Sequence, residues 1–118
     1  MKNFLILILT SFFFAQLPKE HRPWISTQQQ GHMLTIQGRF ANDSKQEATF
    51  RYELITTKQG KSGSSRSAQA GRLVAPAGQE VSLSSTSINI SESDTYLIEL
   101  KIFRADTVYL QDKVEYQG

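Results

Sequence analysis

Cysteine is absent from the chain. No disulfide can brace it, and thiol or disulfide chemistry is excluded. Histidine is scarce, with two residues in 118, which leaves little material for a metal site or an acid–base pair. A large excess of one charge is missing too. The formal charge is +2, it falls by one if Lys2 leaves with a leader, and the basic residues are scattered. Such a chain makes no electrostatic case for nucleic acid. Beyond residue 15 no stretch carries the apolar stripe of an amphipathic helix.

What is present begins with a long apolar run. After Met1, Lys2 and Asn3 comes "FLILILTSFFF", residues 4–14. The run is too short to span a bilayer and suits the core of a secretory signal peptide. Cleavage is expected after Ala15, although Phe13 is bulkier than the small residue usual at its place. A buried first strand or an uncleaved anchor would be the other uses of this run. Residues 1–15 are thus expected to be a signal peptide, residues 16–23 a flexible lead-in with two prolines, and residues 24–118 one domain. The expected destination is the periplasm, with no membrane association once the leader is gone. About a hundred residues remain, enough for a single two-layer core.

That remainder alternates. "HMLTIQGRF" sets Leu34, Ile36 and Phe40 on one face and Thr35, Gln37 and Arg39 on the other. "TFRYELIT" sets Phe50, Tyr52 and Leu54 against Arg51 and Glu53, and "TYLIELKIF" turns Tyr96, Ile98, Leu100 and Ile102 inward. "TVYLQDKVEY" has Val108, Leu110 and Val114 in phase. Period two is the mark of a strand with one buried face. A further strand is expected near residues 24–29. In "EVSLSSTSINI" the apolar phase slips between Val81–Leu83 and Ile88–Ile90, which predicts a bulge or kink around residues 84–87. Turn signals at residues 41–46, 75–79, 91–94 and 104–106 separate the runs. Short antiparallel strands at this spacing predict an all-β sandwich or barrel, and a sandwich of this size needs about seven strands, as in immunoglobulin-like domains.

"KSGSSRSAQAG", residues 61–71, resembles a spacer. Neither flanking half could build a core alone, and a long structureless loop is uncommon inside a small domain. Residues 64–73 are therefore read as a short, polar edge strand whose small and charged side chains resist self-pairing. Asp94-x-Tyr96, at the start of a late strand, resembles the tyrosine corner of immunoglobulin-like sandwiches. An Asp turn followed by a core tyrosine would give the same pattern.

Candidate chemistry is sparse. His32 beside Met33 could serve copper, but no further ligand joins them and a histidine opening a strand is the plainer reading. "GKSGSS" contains Gly-Lys-Ser without the earlier glycine and following helix of a phosphate loop, and no Gly-x-Ser-x-Gly occurs. Asn42-Asp43-Ser44 and Asn89-Ile90-Ser91 match the glycosylation acceptor pattern, which is common by chance. No cofactor, metal or catalytic residue is expected, and the chain reads as a non-enzyme. Surface clues remain. Lys58, Lys61, Arg66 and Arg72 make the central stretch basic: a solvated edge, or a patch for an acidic or polar amyloid partner. Phe103 and Tyr109 are expected to face each other across the last hairpin, as a cross-strand pair or as a contact surface.

Four segments together resemble a known family: "LTIQGRF", "YELITTKQGKSGSSRSAQAGRL", "VSLSSTSINI" and "TYLIELKIF". They are similar to the CsgH family, related to the curli assembly inhibitor CsgC. The central block carries most of the likeness, with an aromatic-led strand, a Gly-Ser-rich turn and Gln69-x-Gly71 before the next apolar residues; Asn89 also fits. The likeness runs over residues 24–114. It implies an immunoglobulin-like sandwich of seven strands, a periplasmic location, and a monomer that restrains premature polymerisation of curli-type amyloid subunits. The partner implied is an unfolded subunit or a nascent fibril. CsgC proteins carry a Cys-x-Cys pair that this chain lacks, so a redox role is excluded and the CsgH branch fits better. The client contact is expected on Lys61, Arg66, Gln69 and Arg72 of the edge strand, with Phe103 and Tyr109 as further candidates. Two other functions stay open: an adhesion or carbohydrate-binding module, whose candidate stacking residues are Trp24, Phe103 and Tyr109, and a structural subunit that donates or accepts strands.

Overall fold

The structure is a computed structural model that describes residues 20–61 and 63–118. The expected signal peptide and the first four residues of the lead-in lie outside the described residues. Seven strands follow one another: β1 His21–Gln30, β2 Met33–Asn42, β3 Ala48–Gly60, β4 Gly63–Ala75, β5 Glu80–Asn89, β6 Thr95–Arg104 and β7 Thr107–Gln117. They form a three-stranded sheet in the order β1-β2-β5 and a four-stranded sheet in the order β4-β3-β6-β7. Every pairing is antiparallel. The all-β sandwich expected from the alternation is what forms.

The core lies where the alternation is strictest. Leu34, Ile36 and Phe40 of β2 face Ile98, Leu100 and Ile102 of β6, with Tyr52 and Leu54 of β3 completing the layer. β2 is the middle strand of its sheet, and β3 and β6 are the middle strands of theirs. Each fully buried aliphatic side chain contributes about 1.5–3 kcal/mol. With no disulfide, this layer is what joins the sheets.

Three boundaries differ from expectation. β1 starts at His21, three residues before Trp24, so the last residues of the supposed lead-in are strand. Pro23 is tolerated there because β1 is an edge strand. β4 is an edge strand as expected, but it is 13 residues long and pairs β3 along its whole length, from Ala48↔Ala75 to Gly60↔Gly63. The spacer-like stretch is thus a tight hairpin and its second strand. The bulge in β5 sits one residue earlier than expected. Gly38 pairs with Ser84 and Arg39 with Ser82, which leaves Leu83 as the extra residue.

That bulge has a purpose in the packing. The Tyr52 hydroxyl crosses between sheets and donates to the Leu83 carbonyl at 2.9 Å. Gly71, opposite Tyr52 on β4, makes room for the ring: a Cβ there would lie 3.0 Å from it. On the opposite side of the sandwich, β1 and β7 run side by side without a backbone ladder. His21 Nδ1 meets the Tyr109 hydroxyl at 3.0 Å, the Ile25 amide donates to Asp112 Oδ2 at 3.0 Å, and the Tyr116 hydroxyl donates to Gln29 Oε1.

The Asp-x-Tyr motif is a tyrosine corner. The Tyr96 hydroxyl accepts from the Ser91 amide at 3.0 Å and donates to the Asn89 carbonyl at 3.4 Å. Asp94 is buried beside it, and Lys58 Nζ lies 3.8 Å from its Oδ2. Gly60 is required here, since a Cβ would overlap the Asp94 carboxylate. The other end of the sandwich is tied by Asn42, which is fully buried. Its amide donates to the carbonyls of Gln46, Ala75 and Pro76, and its Oδ1 accepts from Ser44. An asparagine so engaged is closed to a glycan in the folded protein; Asn89 is exposed.

The β6–β7 hairpin turns on Ala105 and Asp106, with φ of 49° and 64°. Both central residues of this two-residue turn are left-handed, where Asn-Gly is favoured. The backbone strain is about 1–2 kcal/mol per residue.

Removing the Tyr96 hydroxyl in Tyr96→Phe takes the partner from the part-buried Ser91 amide and is expected to cost about 0.5–1.5 kcal/mol. A fall in the urea midpoint at unchanged m-value would measure it. Asn42→Ala breaks a larger set and is expected to cost more than Tyr96→Phe in the same experiment.

Candidate interaction surface

The outer face of the four-stranded sheet is set by register. Strand alternation puts Thr49, Arg51, Glu53, Ile55 and Thr57 of β3 outward, with Val74, Arg72, Ala70, Ala68 and Arg66 opposite them on β4. From β6, Phe103 lies beside Arg51, Lys101 beside Glu53 and Glu99 beside Ile55. The middle of this face is a mixed-charge field, in which Ile55 is covered by its neighbours and only 3% exposed. The β4 margin is different. From Ser64 to Ala70 it carries small side chains and one charge, Arg66.

The candidate residues divide between two faces. Arg66 and Arg72 are exposed on the outer face of β4, and Lys61 is exposed at the β3–β4 turn. Gln69 is turned inward, paired with Leu54, and its Oε1 is buried with no donor among the described residues. A single surface holding all four residues is therefore corrected to one of Lys61, Arg66 and Arg72. Lys58 also leaves the basic patch, because it points to the inner face and reaches Asp94.

Phe103 and Tyr109 do not face each other. Phe103 pairs with Val108 and Ile102 with Leu110, so Tyr109 is the extra residue of a second bulge. The bulge swings Tyr109 inward, where its ring lies 5.3 Å from Phe50 and 6.0 Å from His21. It also puts Val108 outward, 44% exposed, against the expectation that Val108 shares the phase of Leu110. Phe103 stays on the outer face under the Arg51 guanidinium, 4.1 Å from its ring centroid. Trp24, the best stacking candidate for a sugar, is half-buried with the Arg39 guanidinium 5.2 Å from its ring.

Two arginines were missed by reading the basic stretch along the chain. Arg51 and Arg104 come from β3 and β6, and the register brings Arg51 directly opposite Arg72. Arg51 is held by Glu53 at 3.0 Å and by Asp106 at 3.8 Å. Arg104 lies 3.8 Å over the Tyr109 ring and 5.6 Å from that of Phe50. The outward phase of Arg51 was legible in the alternation, but not which strand it faces. Among the described residues no group of three His, Asp or Glu side chains could hold a metal ion. What the surface can do is bind: it offers guanidinium groups, one aromatic ring and a long strand edge.

A protein-family model described as "Thin aggregative fimbriae synthesis protein" (Tafi-CsgC) matches residues 18–114. The chain belongs to this family. Among solved structures, the solution structure of R. palustris CsgH aligns with a TM-score of 0.62 at 23% identity, covering 80% of this chain and 91% of that one. The E. coli curli protein CsgC aligns with a TM-score of 0.63 at 28% identity, covering 83% and 99%. A Bacteroides uniformis β-glucuronidase aligns over 80% of this chain and 13% of the enzyme at 22% identity and a TM-score of 0.50, a likeness of fold alone. A search of curated proteins found no match. Membership of the family ties the chain to fimbria synthesis, and CsgH and CsgC, the relatives that the four sequence segments pointed to, are both among the solved structures that align with it.

Gln69→Met keeps the length of the side chain and removes the orphaned buried carbonyl. It is expected to raise the urea midpoint by the equivalent of about 1 kcal/mol. A client contact at Gln69 would instead be seen as lost binding without gained stability.

Proposed function

We propose that this protein is a periplasmic, chaperone-like inhibitor that delays amyloid polymerisation of a curli-type fibre subunit. The observation that carries the reading is the family match over residues 18–114, joined by the alignment with E. coli CsgC, itself named a curli protein. Export follows from the leader pattern of residues 1–15, with cleavage after Ala15. The mature protein acts as a monomer, by contact and not by catalysis.

The edges support this reading physically. Amyloid grows by adding strands to an exposed edge. An inhibitor must meet such a client without being recruited into the fibre. Here the β4 edge carries Arg66 and Arg72, about 20 Å apart along a strand. Self-pairing of two β4 strands centred on Gln69 would set Arg66 of one copy opposite Arg72 of the other, a like-charge clash. An acidic or polar client strand suffers no such clash. The proposed contact is therefore the outer side of β4, through Lys61, Arg66 and Arg72, with Phe103 farther across the same sheet. Gln69 and Tyr109 face inward and are left out of it.

The sugar-binding alternative loses ground, since Arg39 already stacks on Trp24. The strand-exchanging subunit predicts concentration-dependent polymers of the purified protein.

A thioflavin-T time course tests the proposal. Mature protein added well below equal amounts is expected to extend the lag of a curli-type subunit several-fold. The variant Lys61→Gln, Arg66→Gln, Arg72→Gln should lose most of that extension while keeping its thermal midpoint. Undiminished inhibition by this variant would sink the contact mapping, and no inhibition by the parent protein would sink the function.

A further inference from the structure

At the β6–β7 end of the outer face lies an open groove of about 660 Å³. Its working side chains are Thr49, Arg51, Arg72, Phe103, Arg104 and Asp106. The volume is within the range of about 300–1,000 Å³ usual for ligand pockets.

Two independent features distinguish it from ordinary surface. One is its charge arrangement. Arg51 and Arg72 stand directly opposite each other on adjacent strands, where like charges repel. Arg51 is neutralised by Glu53 and Asp106, whereas Arg72 has no acidic partner among the described residues. A guanidinium with no acidic partner thus stands on β4, across Arg51 from the Phe103 ring that the Arg51 guanidinium covers on one side. The other feature is the strained turn. Ala105 and Asp106 both hold left-handed backbone, and the turn presents the Asp106 carboxylate to Arg51, 3.8 Å away. Strain of this kind collects at ligand clamps, where it fixes a side chain that the binding geometry needs. Here the turn sets the Asp106 carboxylate beside Arg51, whose guanidinium lies 4.1 Å from the Phe103 ring centroid.

We propose that this groove binds an extended polypeptide segment in which a carboxylate and an aromatic side chain stand two residues apart, on one face of the segment. Arg72 takes the carboxylate in a forked pair of hydrogen bonds. The aromatic ring extends the Phe103–Arg51 stack. That the segment belongs to a fibre subunit rests on the function proposed above; the acidic-aromatic chemistry rests on the groove alone. A nucleic acid is disfavoured, because Asp106 stands in the groove and Arg51 is already neutralised.

The test is a ¹H–¹⁵N NMR titration of the mature protein with a capped hexapeptide carrying Asp-Gly-Phe in a Gly-Ser background, which sets both side chains on one face. Control peptides replace Asp by Asn or Phe by Ala. Saturable shifts are expected at the amides of Arg51, Arg72, Phe103 and the 104–106 turn, with at least tenfold weaker binding of either control. Arg72→Gln should weaken the parent peptide tenfold and leave the spectrum otherwise folded. Asp106→Gly relaxes the turn and removes the looser of the two carboxylates beside Arg51, so it is expected to melt higher and yet bind the peptide less tightly; a purely structural turn would gain stability with no loss of binding. Equal affinity for the three peptides, shifts centred elsewhere, or no saturation at millimolar peptide would overturn the proposal. Fibril delay is measured on the same samples. Delay without peptide binding removes the groove and keeps the function, and peptide binding without delay removes the function and keeps the groove.

Discussion

Everything else in the molecule rests on the interdigitation of β2 with β3 and β6. No covalent bridge joins the two sheets. Leu34, Ile36, Phe40, Ile98, Leu100 and Ile102 are all fully buried between them. Central strands must carry this layer, because each is flanked by neighbours that exclude water from its sides. The edge strands are thereby released from core duty. β4 can be small and polar over half its length, and β1 can begin with a histidine and a proline, without loss of the fold.

Freed in this way, the edges are specialised. On the β4–β5 side a single tyrosine, Tyr52, crosses to the bulged Leu83, and Gly71 leaves it space. On the β1–β7 side, Asp112 occupies an amide of β1 that would otherwise be open to another strand. Both bulges sit next to these seams and turn one side chain each toward them. The result is a sandwich whose margins are occupied by side chains or marked with arginine.

How much of this was legible depends on the element. β2, β3 and β6 were readable because period two leaves no choice of face. β4 was readable by elimination: small residues between two apolar runs make sense as an edge. The β5 bulge left a trace, since Leu83 and Ile88 cannot share a face without an inserted residue. The β7 bulge left none. Val108, Leu110 and Val114 satisfy a single phase, and only the pairing of Phe103 with Val108 reveals that Tyr109 is the extra residue. The basic patch was misdrawn for a similar reason. Lys58 belongs with Asp94, which lies far along the chain, and Arg51 faces Arg72 across a hairpin. Sequence alternation assigns faces well. It does not assign neighbours, and the groove is made of neighbours.

The seam between β1 and β7 also decides how the molecule responds to force. The two strands run in the same direction, since His21, Ile25 and Gln29 meet Tyr109, Asp112 and Tyr116 in order. The start of one strand and the end of the other therefore lie at opposite ends of the sandwich. Tension on the two ends would load this seam in shear. In a sandwich built to bear tension, a row of backbone hydrogen bonds would share that load and break together. Here the seam itself is held by three side-chain hydrogen bonds, which can give way one after another. The seam can therefore open under tension while both sheets keep their backbone ladders, which sets it apart as the place where the sandwich yields first.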